Sequence, residues 1–125
     1  LAGEGTVDTD GGVLVNAGTL APGGSGIGKL TVVGDFRQGA TGRLEIDLGG
    51  TRVGQYDTLD VNGTATLGGT LFLRAANGYA PRDGDDFKLV TYKSRVGTFQ
   101  FVLPPAGSTV DAEYAKKFAS FELEQ

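Results

Sequence analysis

Short alternating apolar runs, each cut off by glycine, recur along most of the chain and constrain its fold more than any other feature. Leu30-Thr31-Val32 is followed by Leu44-Glu45-Ile46-Asp47-Leu48, Leu59-Asp60-Val61, Leu67, Leu71-Phe72-Leu73, Leu89-Val90 and Phe99-Gln100-Phe101. Gly-Gly, Asn-Gly and Asp-Gly steps lie between them. No run is long enough to bury a face alone. Stacked on neighbours of the same kind, the runs make one apolar column, which is how a β-solenoid is stabilised. Successive inward pairs start at Leu30, Leu44, Leu59 and Leu71, so the spacing drifts between about 12 and 15 residues, as in a solenoid whose corners vary. The expected fold class is all-β: a β-solenoid (parallel β-helix) with a C-terminal aromatic-rich closing segment. The alternative is a β-sandwich, which short strands with glycine turns also suit. The Gly-Gly corners and the drifting spacing favour the solenoid.

Along the chain, Leu1 to Asp10 reads as small and polar, and Val13-Leu14-Val15 as a short strand turned by Asn16-Ala17-Gly18 toward Thr19-Leu20. Pro22 to Gly28 is a turn-rich loop. Leu44, Ile46 and Leu48 point one way while Arg43, Glu45 and Asp47 point the other, the cleanest two-residue period in the sequence. Gly68-Gly69 marks a corner or bulge. The expected organisation is a single domain over 1–125, with regular coils over about 12–73 and closing strands over 74–125. Within the latter, Asn77 to Asp86 is a loop, Phe87 to Tyr92 and Gly97 to Leu103 are strands, and Asp111 to Lys117 is the one stretch that tolerates a helix. Phe118 to Leu123 resumes alternation. Six of the seven phenylalanines stand at Phe72 or later, which predicts a wider core layer at that end.

Composition narrows the function classes. Glycine supplies 22 of 125 residues without a period of three, so it marks corners rather than a collagen helix. A net charge of −4 provides no basic face for nucleic acid or an anionic membrane surface. Cys and His are absent, which removes thiol nucleophiles, thiolate metal sites, and the commonest general base and zinc ligand. Ser25, Ser94, Ser108 and Ser120 therefore have no His partner for a Ser-His-Asp triad. No apolar run approaches the roughly 20 residues of a membrane-spanning helix. The chain starts without Met, so a processed protein or a piece of a longer one is expected.

Several motifs carry both a chemical and a plain reading. Gly23 to Lys29 matches most of a phosphate-binding loop, but Leu30 stands where Ser or Thr would hold magnesium, and a strand rather than a helix follows. Asp83, Asp85 and Asp86 could offer oxygens to calcium, which takes six to eight; a turn is the expected reading. Asp57 and Asp60 could form an acid–base pair of the glycosidase kind; solvated turn carboxylates are expected instead. Asn62-Gly63-Thr64 is a formal glycosylation sequon and also an Asn-Gly turn. Lys116 and Lys117 precede the last strand and could blunt an exposed edge. No catalytic, cofactor-binding or metal-binding residue is assigned, and no cofactor is expected.

Taken in order, Gly18 to Gly23, Gly28 to Phe36, Gly42 to Leu48, Tyr56 to Ala65 and Leu67 to Leu71 resemble the C-terminal part of bacterial autotransporter and filamentous-haemagglutinin-like passenger regions. Pro81 to Leu89, Gly97-Thr98-Phe99 and the Tyr114-to-Leu123 strand fit as well, so the resemblance covers roughly 12–124. It implies a parallel β-helix near the end of a secreted surface protein, with an extracellular or cell-surface bacterial location. It supplies no catalytic residue in this segment.

The reading that follows is a non-enzymatic extracellular structural domain, either a subunit of a self-assembling surface filament or the stalk of a secreted surface protein. Self-association through strand edges at the domain ends is expected, with no nucleic acid and no membrane span. The alternative is an adhesin-type module for cell-surface glycan or host protein, for which Tyr56, Tyr79, Tyr92 and Tyr114 are the polar aromatics available.

Overall fold

A computed structural model describes residues 2–24 and 26–125, so Leu1 and Ser25 lie outside the described residues. The chain winds through about four turns. β1 (Gly5–Asn16) and β2 (Thr19–Leu20) make the first coil, and β3 (Lys29–Gln38) and β4 (Arg43–Leu48) the second. β5 (Thr58–Asn62), β6 (Thr64–Thr66) and β7 (Thr70–Ala75) make the third. β8 (Asp86–Thr91), β9 (Ser94–Val96) and β10 (Phe101–Leu103) make the fourth. Each strand of a coil pairs in parallel with its counterpart in the next. An antiparallel hairpin, β11 (Thr109–Tyr114) and β12 (Phe118–Glu124), follows the last coil. The described residues contain no helix. This is a parallel β-solenoid and not a β-sandwich, because the pairing between coils is parallel throughout.

Two sheets result. One stacks β2, β4, β7 and β10. The other stacks β1, β3, the β5–β6 pair and the β8–β9 pair, and β12 then β11 extend it beyond β8. The coil-to-coil offset is 24 residues from Thr9 to Val33, 29 from Asp35 to Thr64 and 31 from Asp60 to Thr91. The shorter spacing visible in the sequence is half a coil: Leu30 and Leu59 belong to one sheet, Leu44 and Leu71 to the other.

The inward residues stack rung on rung. Leu30, Leu59 and Val90 form one column, Val32 and Val61 a second, Leu20, Leu44 and Leu71 a third, and Ile46 and Leu73 a fourth. None of these side chains exceeds 3% exposure. Burying each contributes roughly 1.5–3 kcal/mol, and the columns have no break between coils.

The longer sheet bends at a glycine corner. β3 pairs with β5 before Gly34 and with β6 after it. Gly34 has φ +123°, and a Cβ there would lie 1.9 Å from Thr9 Oγ1. Gly63 stacks directly on this corner, where a Cβ would meet the Gly34 carbonyl oxygen at 2.3 Å. A side chain at either position would separate the coils.

Several expectations need correction. The regular coils begin before residue 12, because β1 starts at Gly5 and pairs with β3 through its backbone. Its side chains are mostly exposed, so hydrophobic alternation could not reveal it. Residues Thr9 to Gly12 bulge outward opposite Gly34, with Asp10 at φ 52° and Gly11 at φ 82°. The regular coils continue past residue 73 to Leu103, and only the hairpin closes the end. Asp111 to Lys117 is not helical: residues up to Tyr114 pair with β12, with Ala112 opposite the buried Phe121. Of the expected Gly97–Leu103 strand, only Phe101–Leu103 is extended and paired.

Candidate functional site

The residues singled out by their chemistry are held in structural roles. Asp57 is 2% exposed rather than solvated. Its two oxygens accept the backbone N–H groups of Gly28 at 2.8 Å and Asp47 at 2.9 Å. Gly28 leads into β3 and Asp47 lies on β4, so one carboxylate ties three segments together. Burial raises its pKa above the ordinary 3.8, against the pull of those two backbone bonds. Asp47 is bridged in turn by Arg74, whose Nε and Nη2 both lie 2.8 Å from Oδ1. Asp60 is elsewhere, accepting from Thr91 Oγ1 at 2.6 Å with Lys29 Nζ at 3.6 Å. The two aspartates therefore do not form an acid–base pair.

The glycine loop before Lys29 is filled from within. The Gly28 N–H that a bound phosphate would need goes to Asp57, Gly26 N–H bonds Gly23 O, and a strand follows. Ser25 of this motif lies outside the described residues. Asp85 accepts from the Tyr79 hydroxyl and from Arg82 N–H, and Asp83 accepts from Gln125 N–H, so these carboxylates fasten turns. They do not converge with Asp86 on a common point. At the sequon, Asn62 ends β5, Thr64 N–H bonds Asp35 at 2.8 Å, and the Thr64 and Ser94 hydroxyls lie 2.8 Å apart. Lys116 and Lys117 sit in the hairpin turn, where Lys117 Nζ bonds Lys93 O. They guard no edge, since β12 is flanked by β11 and β8.

Beyond β12 the sheet ends on β11, and the charges of that edge are acidic. Asp111 faces Glu122 across the hairpin, and Asp111, Glu122 and Glu124 bring oxygens within 4.8 Å of one another, all exposed. Repulsion from Asp111 raises the Glu124 pKa above its ordinary 4.5. Exposed acidic groups grouped in this way are common without a metal ion. Their physical effect is to make an edge that repels further strands.

The tyrosines serve the core. Tyr56 and Tyr92 are buried, with the Tyr92 hydroxyl donating to Ala115 O at 2.7 Å. Tyr79 packs edge-on against Phe87, and burial together with Asp85 drives its pKa up. Tyr114 receives the Phe99 N–H at 3.2 Å and meets the Phe121 ring edge-on.

What remains available for interaction is concentrated at the two ends. At the N-terminal end, β1 and β2 are the outermost strands of the coils. Val13 and Val15 are exposed there, and Val7 and Leu14 are only half-buried against the core. At the C-terminal end the hairpin brings Phe121 against Phe99 and closes the core, leaving exposed apolar side chains at Val96, Phe101 and Leu103 on the edges of β9 and β10. A groove of about 520 Å³ lies next to Leu103, whose rung partner Phe72 lines it with Leu73, Pro81, Pro104 and Pro105.

One buried contact lies between two side chains that no motif marks. Asn16 and Gln38 are aligned on neighbouring coils, and Asn16 Nδ2 donates to Gln38 Oε1 at 2.8 Å. Two carboxamides at the ends of successive runs were the available signal, but it becomes visible only once the true coil length is known. No protein-family model matches the chain, and no characterised protein is similar enough to count as a relative.

Proposed function

We propose that this chain is a non-enzymatic structural domain, the capped end of a β-solenoid stalk in an extracellular bacterial surface protein. The observation that carries the reading is the asymmetry of the two ends. One presents free edges of β1 and β2 beside a half-covered core, and the other carries an antiparallel aromatic hairpin over β8, with β9 and β10 beside it at the edge. A solenoid needs atypical capping units where it stops and none where it continues. The resemblance of the Gly18–Leu71 motifs to passenger regions supports the extracellular setting. Between stalk and filament subunit, the acidic antiparallel hairpin over β8 favours the stalk, because a polymer would have to add a parallel coil past it.

A binding role is the second reading, favoured by Leu103 exposed beside the proline-lined groove. Negative-stain electron microscopy and light scattering over a range of concentrations test the main proposal. A monodisperse particle is expected, and an antibody against the chain is expected to label intact cells that produce it. Long uniform fibres would replace the stalk with a filament subunit, and labelling only after lysis would overturn the surface location.

A further inference from the structure

The buried amides at the open end specify what can stack on it. Gln38 is 2% exposed, and its Nε2 donates to two backbone carbonyls, Gly68 O at 2.8 Å and Thr70 O at 3.2 Å. Carbonyl oxygens only accept, so they fix which way the Gln38 amide faces. Its Oε1 is thereby turned to Asn16, which must donate. Asn16 is 8% exposed, and its Nδ2 serves both Gln38 Oε1 and Arg43 O, the latter at 3.0 Å. Both amide hydrogens of Asn16 are committed toward the second coil. With both hydrogens used inward, its carboxamide oxygen is left on the solvent side at the open end, where no identified hydrogen bond from a described residue reaches it.

We infer that the β1–β2 end docks a further parallel β-coil, and that this coil carries Asn or Gln on the rung beside Asn16, its amide N–H donating to Asn16 Oδ1. The contact repeats, one rung outward, the one Asn16 already makes with Gln38. The inference rests on the stalk reading and names the chemistry of the neighbouring segment. A second copy of this chain does not fit the requirement. Arg37 pairs with Thr66 and Thr66 with Val96, so the column runs on through Leu67 to Gly97, and the C-terminal end offers no side-chain amide there. Stacking head to tail would also bring the exposed Glu4, Asp8 and Asp10 toward the acidic β11–β12 hairpin. Two open ends placed together would set one Asn16 oxygen against another, acceptor against acceptor.

The test adds a coil to the full chain. A second copy of residues 29–52 joined ahead of residue 1 places a glutamine, the copy of Gln38, on the rung beside Asn16. Hydrogen exchange of the β1 amides is compared for this protein, for one with leucine replacing the glutamine of the added copy, for one with Asn16→Leu, and for one with both leucines. The glutamine coil is expected to protect Gly5–Asn16 about tenfold more than the leucine coil, the size of one buried hydrogen bond. With Asn16→Leu the preference is expected to reverse, and the doubly substituted protein shows that a leucine coil can fold there. Equal protection by glutamine and leucine coils beside Asn16 would overturn the amide inference while leaving the stalk reading intact. No protection of β1 by any added coil would overturn both.

Discussion

The two ends of the solenoid solve the same problem in opposite ways. Both terminate stacks of parallel strands and so expose backbone groups and the last layer of the core. At the C-terminal end the chain reverses direction: β12 pairs antiparallel with β8, and Phe121, Phe99 and Tyr114 meet across the core. The edge left beyond them carries Asp111 and Glu113. At the N-terminal end nothing equivalent is present among the described residues. Val7 and Leu14 remain half-buried, Val13 and Val15 stay exposed, and Asn16 spends both amide hydrogens on the second coil, leaving its oxygen to the open side. Closure therefore comes from reversing strand direction and adding large rings. A parallel rung alone leaves the stack able to continue.

The strongest way to break this contrast is to remove its aromatic seal. Phe121 is fully buried, with its ring centroid 6.3 Å from that of Phe99 and 6.1 Å from that of Tyr114. Phe121→Ala is expected to lower stability by about 3–5 kcal/mol in urea unfolding, through lost burial and the cavity left behind. Hydrogen exchange should rise most in β11 and β12. Equal loss in β1 would show that the two ends melt as one unit.

Asp57→Ala probes the coils on the open side. It removes the acceptor for two backbone donors, Gly28 N–H and Asp47 N–H. A loss of about 3 kcal/mol is expected, since each buried donor left unsatisfied costs roughly 1–3 kcal/mol. Amides of β3 and β4 should lose protection before those of β12. A change under about 0.5 kcal/mol, the range of ordinary surface substitutions, would mean that this carboxylate does not hold the coils together.

The smallest expected effect is the dependence on pH. Asp57, by burial, and Glu124, by repulsion from Asp111, both have folded pKa values above their ordinary ones. The stability such groups contribute is fully present below the unfolded value and fades as pH rises through the folded one. These two carboxyls should therefore favour a higher melting temperature near pH 4 than at neutrality. Asp111→Asn should remove the Glu124 part and leave the Asp57 part, since only the first arises at the hairpin. An unchanged pH profile in that variant would remove the electrostatic half of the contrast between the ends.

Much of the fold was legible because apolar side chains must leave water wherever they stand. Leu44, Ile46 and Leu48 alternate in the sequence and are all fully buried on β4, and the glycine steps that end the runs are turns and corners. The strand over Gly5–Asp10 was not legible, since it is held by backbone pairing and shows few apolar side chains. Asp111 to Tyr114 was hidden for a related reason: its composition tolerates a helix, and its pairing with β12 decides otherwise. For Asp57 the residue type was plain and the environment was not, because its donors come from 29 residues before it and 10 residues before it.

Short apolar rungs stacked around glycine corners, without thiol or imidazole chemistry, were written into the chain at the level of its residues. Those properties follow from residue type and local period. The coil length, the reversal of β12 and the alignment of Asn16 on Gln38 came from the folded arrangement. Each of these depends on which distant strand lies alongside, and that is fixed by the register of one coil on the next.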